Sequence, residues 1–272
     1  MSGPMRAYLM TRGTMRKHDY AFLGEAPAEP WWDALTPWVL LESEEVIVHR
    51  NEAGGANLLI SGIPSRRTDV LGTRIRHTVV VEDAHREHGL ALWMVRCGLD
   101  DGERTRLGDA LDGAFPGDLV DALMTGAHDD VEHRLLATLR QAAEGSEEDK
   151  AGKDIPGSWA GSVHDATASE AFMARARRLL AEEQTGYAFT THALLTADGA
   201  RRAASSLSGE VAALLHEGEL EVVEQLGKAR VPAPRRDSIA QAGTKRRVLS
   251  ALGALAVALA VALGAWWLIR HL

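Results

Sequence analysis

Residues 248–269 read VLSALGALAVALAVALGAWWLI, 22 positions without a single charge. As a helix rising about 1.5 Å per residue, this run spans roughly 33 Å, enough to cross a hydrocarbon core of about 30 Å. It is expected to be a membrane-spanning helix. Only Arg270, His271 and Leu272 follow it, so the chain reads as tail-anchored, with its bulk on the N-terminal side. Lys245, Arg246 and Arg247 precede the run and Arg270 alone succeeds it; the side richer in Lys and Arg stays inside. The expected location is therefore the cell inner membrane, single-pass, with a cytoplasmic N-terminal domain. Trp266 and Trp267 lie where indoles favour the headgroup boundary. A buried core helix is the alternative, disfavoured by the length of the uncharged window.

The same run carries two rows of small residues four apart, Ala254, Ala258, Ala262 and Ala256, Ala260, Gly264. Such rows let helices approach closely, so tail self-association is expected, against the simpler reading of a passive tether in an Ala-rich chain.

Charge divides along the chain. From Lys228 onward there are eight bases and one acid, which leaves 37 acids against 22 bases in residues 1–227. A domain of net −15 is a poor generic partner for nucleic acid. Arg235, Arg236, Lys245, Arg246 and Arg247 form a basic collar suited to anionic lipid. The single cysteine, Cys97, excludes an internal disulfide framework and reads as a small buried apolar residue. The N-terminal MSGPMRAYLM lacks an apolar core of signal-peptide length.

The first third reads as strand-rich. Residues 6–10 (RAYLM) form a short apolar run, and 45–50 and 56–61 flank a Gly54-Gly55 turn as a hairpin. Residues 74–82 (RIRHTVVVE) alternate, with Ile75, His77, Val79 and Val81 on one face. From about Asp83 the period turns helical. Asp129-x-x-Glu132 and Thr167-x-x-Glu170 read as capping pairs for two helices. Residues 187–196 read as strand, and 210–226 as either a helix or two strands. The expected fold class is an α+β cytosolic domain, strand-rich then mostly helical, with one C-terminal transmembrane helix. Its expected divisions are 1–145, a loop or boundary at 146–157, a continuation or second subdomain at 158–227, a basic linker at 228–247 and the span at 248–269.

Two patterns suggest chemistry. Arg66, Arg67, Arg74 and Arg76 surround one loop and the strand after it, and four guanidinium groups converging there would bind a phosphate or carboxylate. The alternative pairs them with Asp69, Glu82 and Asp83 as surface ion pairs. His-Asp dipeptides recur at 18–19, 128–129 and 164–165; His88, His128, Asp129 and Asp165 would supply a divalent-metal shell of the HD phosphohydrolase kind, which a strand-rich first third opposes. His85 and His88, three apart, lack a third ligand nearby. No serine-hydrolase elbow is present, because Gly157-Ser158-Trp159-Ala160-Gly161 misplaces its serine.

The expectation for function is a non-enzymatic, membrane-tethered sensing or interaction module, meeting membrane lipid and a cytosolic protein partner and clustering through its tail, in a bacterial stress or phage-defence (antiviral) setting. The alternative is a tethered enzyme or binding protein for a phosphorylated small molecule. No cofactor or metal is expected.

Overall fold

In the computed structural model, residues 4–15, 17–145, 152–181, 184–218 and 220–227 are described. Valine, isoleucine and other β-branched residues stiffen the backbone where a pleated surface can use them, and they build the centre of one nine-stranded sheet. Its strands are β1 (Arg6–Thr11), β2 (Ala21–Phe22), β3 (Val46–Arg50), β4 (Ala56–Thr68), β5 (Arg74–Glu82), β6 (Trp159–Ser162), β7 (Gly186–Thr191), β8 (Glu210–Leu215) and β9 (Glu224–Gln225). They run in the order β2-β1-β5-β4-β3-β7-β8-β6-β9. From β2 to β7 every neighbour is antiparallel, whereas β7, β8 and β6 are parallel and β9 closes that edge antiparallel.

Alternation along the central strands splits the core in two. Val46 and Val48 of β3, Leu58 and Ile60 of β4, and Val79 and Val81 of β5 face one side, while Ile47, Leu59 and Val80 face the other. Both faces are covered, which is why these strands are apolar throughout rather than half polar. The first face packs under α1 (His88–Leu99), α2 (Asp101–Ala114), α4 (Val131–Ala143) and α5 (Ala166–Leu180). The second is covered by α6 (Ala197–Ser206) and the loop bearing Trp31, Trp32 and Trp38. The short α3 (Gly117–Met124) follows Pro116, whose fixed φ suits a helix entry.

The hairpin at 45–61 and the strand at 74–82 form where the alternation places them. Ile75, His77, Val79 and Val81 are all buried. Residues 210–226 resolve into β8 and β9 rather than a helix. Both expected capping pairs are displaced. Asp130, not Asp129, accepts from His133 to open α4, and Asp165, not Thr167, accepts from Thr167 to open α5; each aspartate lies at the residue just before the helix, where its short carboxylate reaches the unpaired N–H groups. The described residues fall within one compact unit, and β6 to β9 continue the sheet begun by β1 to β5.

The fold class needs correction. The structure is a mixed α+β domain, and among the described residues no helix is long and apolar enough to cross a membrane. The longest, α5, has 15 residues and carries Arg175, Arg177 and Arg178, against roughly 20 apolar residues needed for a span. The expected span at 248–269, its rows Ala254, Ala258, Ala262 and Ala256, Ala260, Gly264, and the collar Arg235, Arg236, Lys245, Arg246 and Arg247 lie outside the described residues. The tail anchor, the inner-membrane single-pass location with its cytoplasmic domain, the lipid partner and self-association through the tail are accordingly withdrawn as conclusions.

Candidate metal centre

Strand polarity brings together three residues far apart in sequence. Glu45 immediately precedes β3, His192 follows β7 and His216 follows β8. Because β3 runs antiparallel to β7, its beginning lies beside the end of β7. Because β7 and β8 are parallel with Thr191 level with Leu215, the next residue on each is a histidine at the same height. The His216 N–H donates to the Thr191 carbonyl at 3.0 Å, and the two imidazoles stack with centroids 3.7 Å apart and planes 11° apart. The carboxyl ends of parallel strands are where open α/β sheets place ligands.

Glu45 is fully buried. Its Oε1 accepts from the backbone N–H of His192 at 2.9 Å and of Leu40 at 3.3 Å, and its Oε2 accepts from the Thr190 hydroxyl at 2.9 Å. That hydroxyl oxygen also accepts from the Val46 N–H at 2.8 Å, so the carboxylate is fixed by a side chain that is itself fixed. Burial pushes the Glu45 carboxyl up from its usual range, against the opposing pull of these donors and of His192. A cation beside it would compensate that desolvation.

Both imidazoles have one nitrogen already engaged. Nδ1 of His192 lies 3.3 Å from Glu45 Oε1. Nε2 of His216 is buried without a hydrogen-bond partner, and the ring's bond to the Glu44 backbone therefore falls to Nδ1. Burial, then the neighbouring His192, lowers the His216 pKa to about 4, so at neutral pH its Nε2 is a bare lone pair. That lone pair stands 4.0 Å from Glu45 Oε2. The two side chains thus face each other across a gap that no hydrogen bond closes. Among the described residues, Glu45, His192 and His216 are the one group of His, Cys, Asp or Glu compact enough for a metal, with ligand atoms all within 4.8 Å of one another.

The four arginines read from sequence do not meet at one point. Arg66 Nε lies 3.0 Å from Asp109 and 3.8 Å from Asp112, and Arg67 Nε lies 3.3 Å from Asp112. Arg76 pairs instead with Glu44 at 2.6 Å, and Arg74 is exposed. Asp69 pairs with Arg12 at 2.9 Å. Asp112 also accepts from Ser65 Oγ at 2.6 Å and lies 3.1 Å from His77 Nε2. Here the carboxylate stands between serine and histidine, so the imidazole is not placed on the hydroxyl as in a Ser–His nucleophile pair. The His-Asp dipeptides are scattered: His18 binds Asp121, Asp129 binds Arg134, and Asp165 caps α5. A separate cleft of about 800 Å³ lies between β1, β2 and the start of α4, where Arg6 is taken by Glu25 and Glu132.

Glu45, His192 and His216 were not legible as a set. Each is a titratable residue one step beyond an apolar strand, but only the strand order makes them neighbours.

No family model, curated protein or solved structure matches this chain. The sensing module, the cytosolic protein partner, the stress or phage-defence role and the tethered phosphate-ligand enzyme thus have neither a relative nor a described membrane span behind them, and are withdrawn.

Proposed function

We propose that this domain binds one divalent transition-metal ion of the zinc type through Glu45, His192 and His216. The observation that supports the reading is the unpartnered His216 Nε2 facing Glu45 Oε2 across 4.0 Å. Metal–ligand bonds of roughly 2.0–2.2 Å fill such a gap after a small inward shift of either side chain. Two imidazoles and a carboxylate suit zinc, iron or manganese better than calcium or magnesium, which favour all-oxygen shells. Around the three ligands stand the supports that metal sites use: Thr190 on Glu45, the Glu44 backbone on His216, and Glu45 itself on His192. Three protein donors leave a position for water or substrate, the arrangement of zinc sites that perform chemistry rather than only brace a fold.

Calorimetric titration of chelator-treated protein with zinc is expected to give one site per chain. Glu45→Gln, His192→Ala and His216→Ala are each expected to weaken it at least tenfold, and His164→Ala to leave it unchanged. Absence of binding in the unaltered protein, or full binding in His216→Ala, overturns the reading.

A further inference from the structure

Resting on that metal centre, we propose that Glu44 supplies a fourth ligand to it, delivered from the rim by Arg76 and by a bulge in β4. Successive residues of an extended chain point to opposite sides, so Glu44 and Glu45 would not ordinarily serve one site. Here the chain bends at Ser43 and Glu44 before β3 begins. The Glu44 backbone engages His216 while its side chain reaches His192, with Oε2 3.9 Å from His192 Nε2.

His192 repeats the pattern seen at His216. Its Nε2 faces a Glu44 carboxylate oxygen across about the distance that separates His216 Nε2 from Glu45. The other Glu44 oxygen, Oε1, accepts from Arg76 Nη1 at 2.6 Å, and Arg76 Nη1 is also 3.3 Å from the Glu42 carbonyl. One oxygen is thus held by a cation and the second is turned inward, as expected of a ligating carboxylate supported from behind. Glu44 stands outside the compact set of three and its side chain is about one-third exposed. It is the exchangeable member, the ligand an entering anion displaces.

The bend is held from β4. The pairing of β4 with β5 slips between Ile60 and Ile63, and at Gly62 the backbone takes φ +67°. A Cβ there would lie 2.6 Å from the Ser43 carbonyl and 2.7 Å from the Glu44 N and Cα. Ser61 Oγ donates to the Ser43 carbonyl at 2.7 Å, and Ser61 N–H donates to the Glu45 carbonyl at 2.9 Å. Bulges of this kind re-aim side chains beside functional sites.

The test uses cobalt(II) as the metal and azide as the displacing anion, read by visible absorption. The unaltered protein is expected to give the intense bands of a four-coordinate site and to take up azide weakly. Glu44→Gln is expected to lower cobalt affinity roughly 10–100-fold and to raise azide affinity about tenfold, because the fourth position is vacated. Arg76→Gln, which keeps the carboxylate, is expected to lower cobalt affinity by a smaller factor, and Glu42→Gln to change neither. If Glu44→Gln binds cobalt and azide like the unaltered protein, the fourth ligand is refuted while the three-residue centre stands. If the unaltered protein binds no cobalt, both fall.

Discussion

The imidazole of His49 lies flat against the phenol ring of Tyr187, centroids 4.2 Å apart and planes 12° apart, with Trp31 stacked on its other side at 5.8 Å. His49 Nδ1 is buried without a hydrogen-bond partner, and burial lowers its pKa to about 4 from an ordinary 6.5. The unfolded chain therefore binds this proton between pH 6.5 and 4 and the folded chain does not, so stability present above pH 6.5 is lost as pH falls toward 4. A shift of this size corresponds to on the order of 3 kcal/mol. His49→Phe is predicted to flatten that part of the acid limb in urea titrations at pH 7, 5.5 and 4.5; His216 contributes in the same window and its share remains. An unchanged pH dependence would contradict the assignment.

Thr190 joins the core to the candidate centre by accepting from Val46 N–H and donating to Glu45. Thr190→Val keeps the shape and removes both bonds, leaving a buried N–H unpaired at a cost of about 1–3 kcal/mol. Zinc affinity is predicted to fall at least tenfold as Glu45 loses its support. Calorimetry together with thermal melts separates the two effects: a loss of stability with unchanged zinc binding would place Thr190 outside the site.

Gly62→Ala tests the bulge. Its left-handed backbone and the contacts its Cβ would make with Ser43 and Glu44 predict a destabilisation of roughly 2–4 kcal/mol. The same change is predicted to weaken cobalt binding, since Glu44 must move. Gly54→Ala, also at positive φ but with open space around it, is the control that carries strain without the collision.

Asp112 ties Ser65, Arg66, Arg67 and His77 to α2. Burial alone would raise its carboxyl pKa; the hydrogen bonds from His77, Ser65 and the Arg66 N–H overcome this and hold it well below the usual range. Its stabilisation is thus present above pH 3.8 and disappears as pH falls below it. Asp112→Asn is predicted to cost about 3 kcal/mol at pH 7, with the gap from the unaltered protein narrowing in acid. Chemical denaturation at pH 7 and pH 3 measures it, and a gap that stays constant would refute the charged role.

The local patterns determined by themselves that residues 74–82 form a strand and that 45–61 form a hairpin around Gly54-Gly55. These features depend on alternation and on backbone freedom within a few residues, which the order of amino acids states directly. Sequence alone left Arg66, Arg67, Arg74 and Arg76 open between one anion pocket and separate ion pairs, and could not name the partners: Arg66 and Arg67 lie against Asp112 on a helix and Arg76 against Glu44 on a loop. Side-chain partners are chosen across distances in the chain that no local period records. Glu45 and His192 are 147 residues apart, and His216 joins them because two parallel strands end level and a third begins beside them. Strand order, which long-range packing decides, therefore created the one compact set of metal-ligating groups among the described residues.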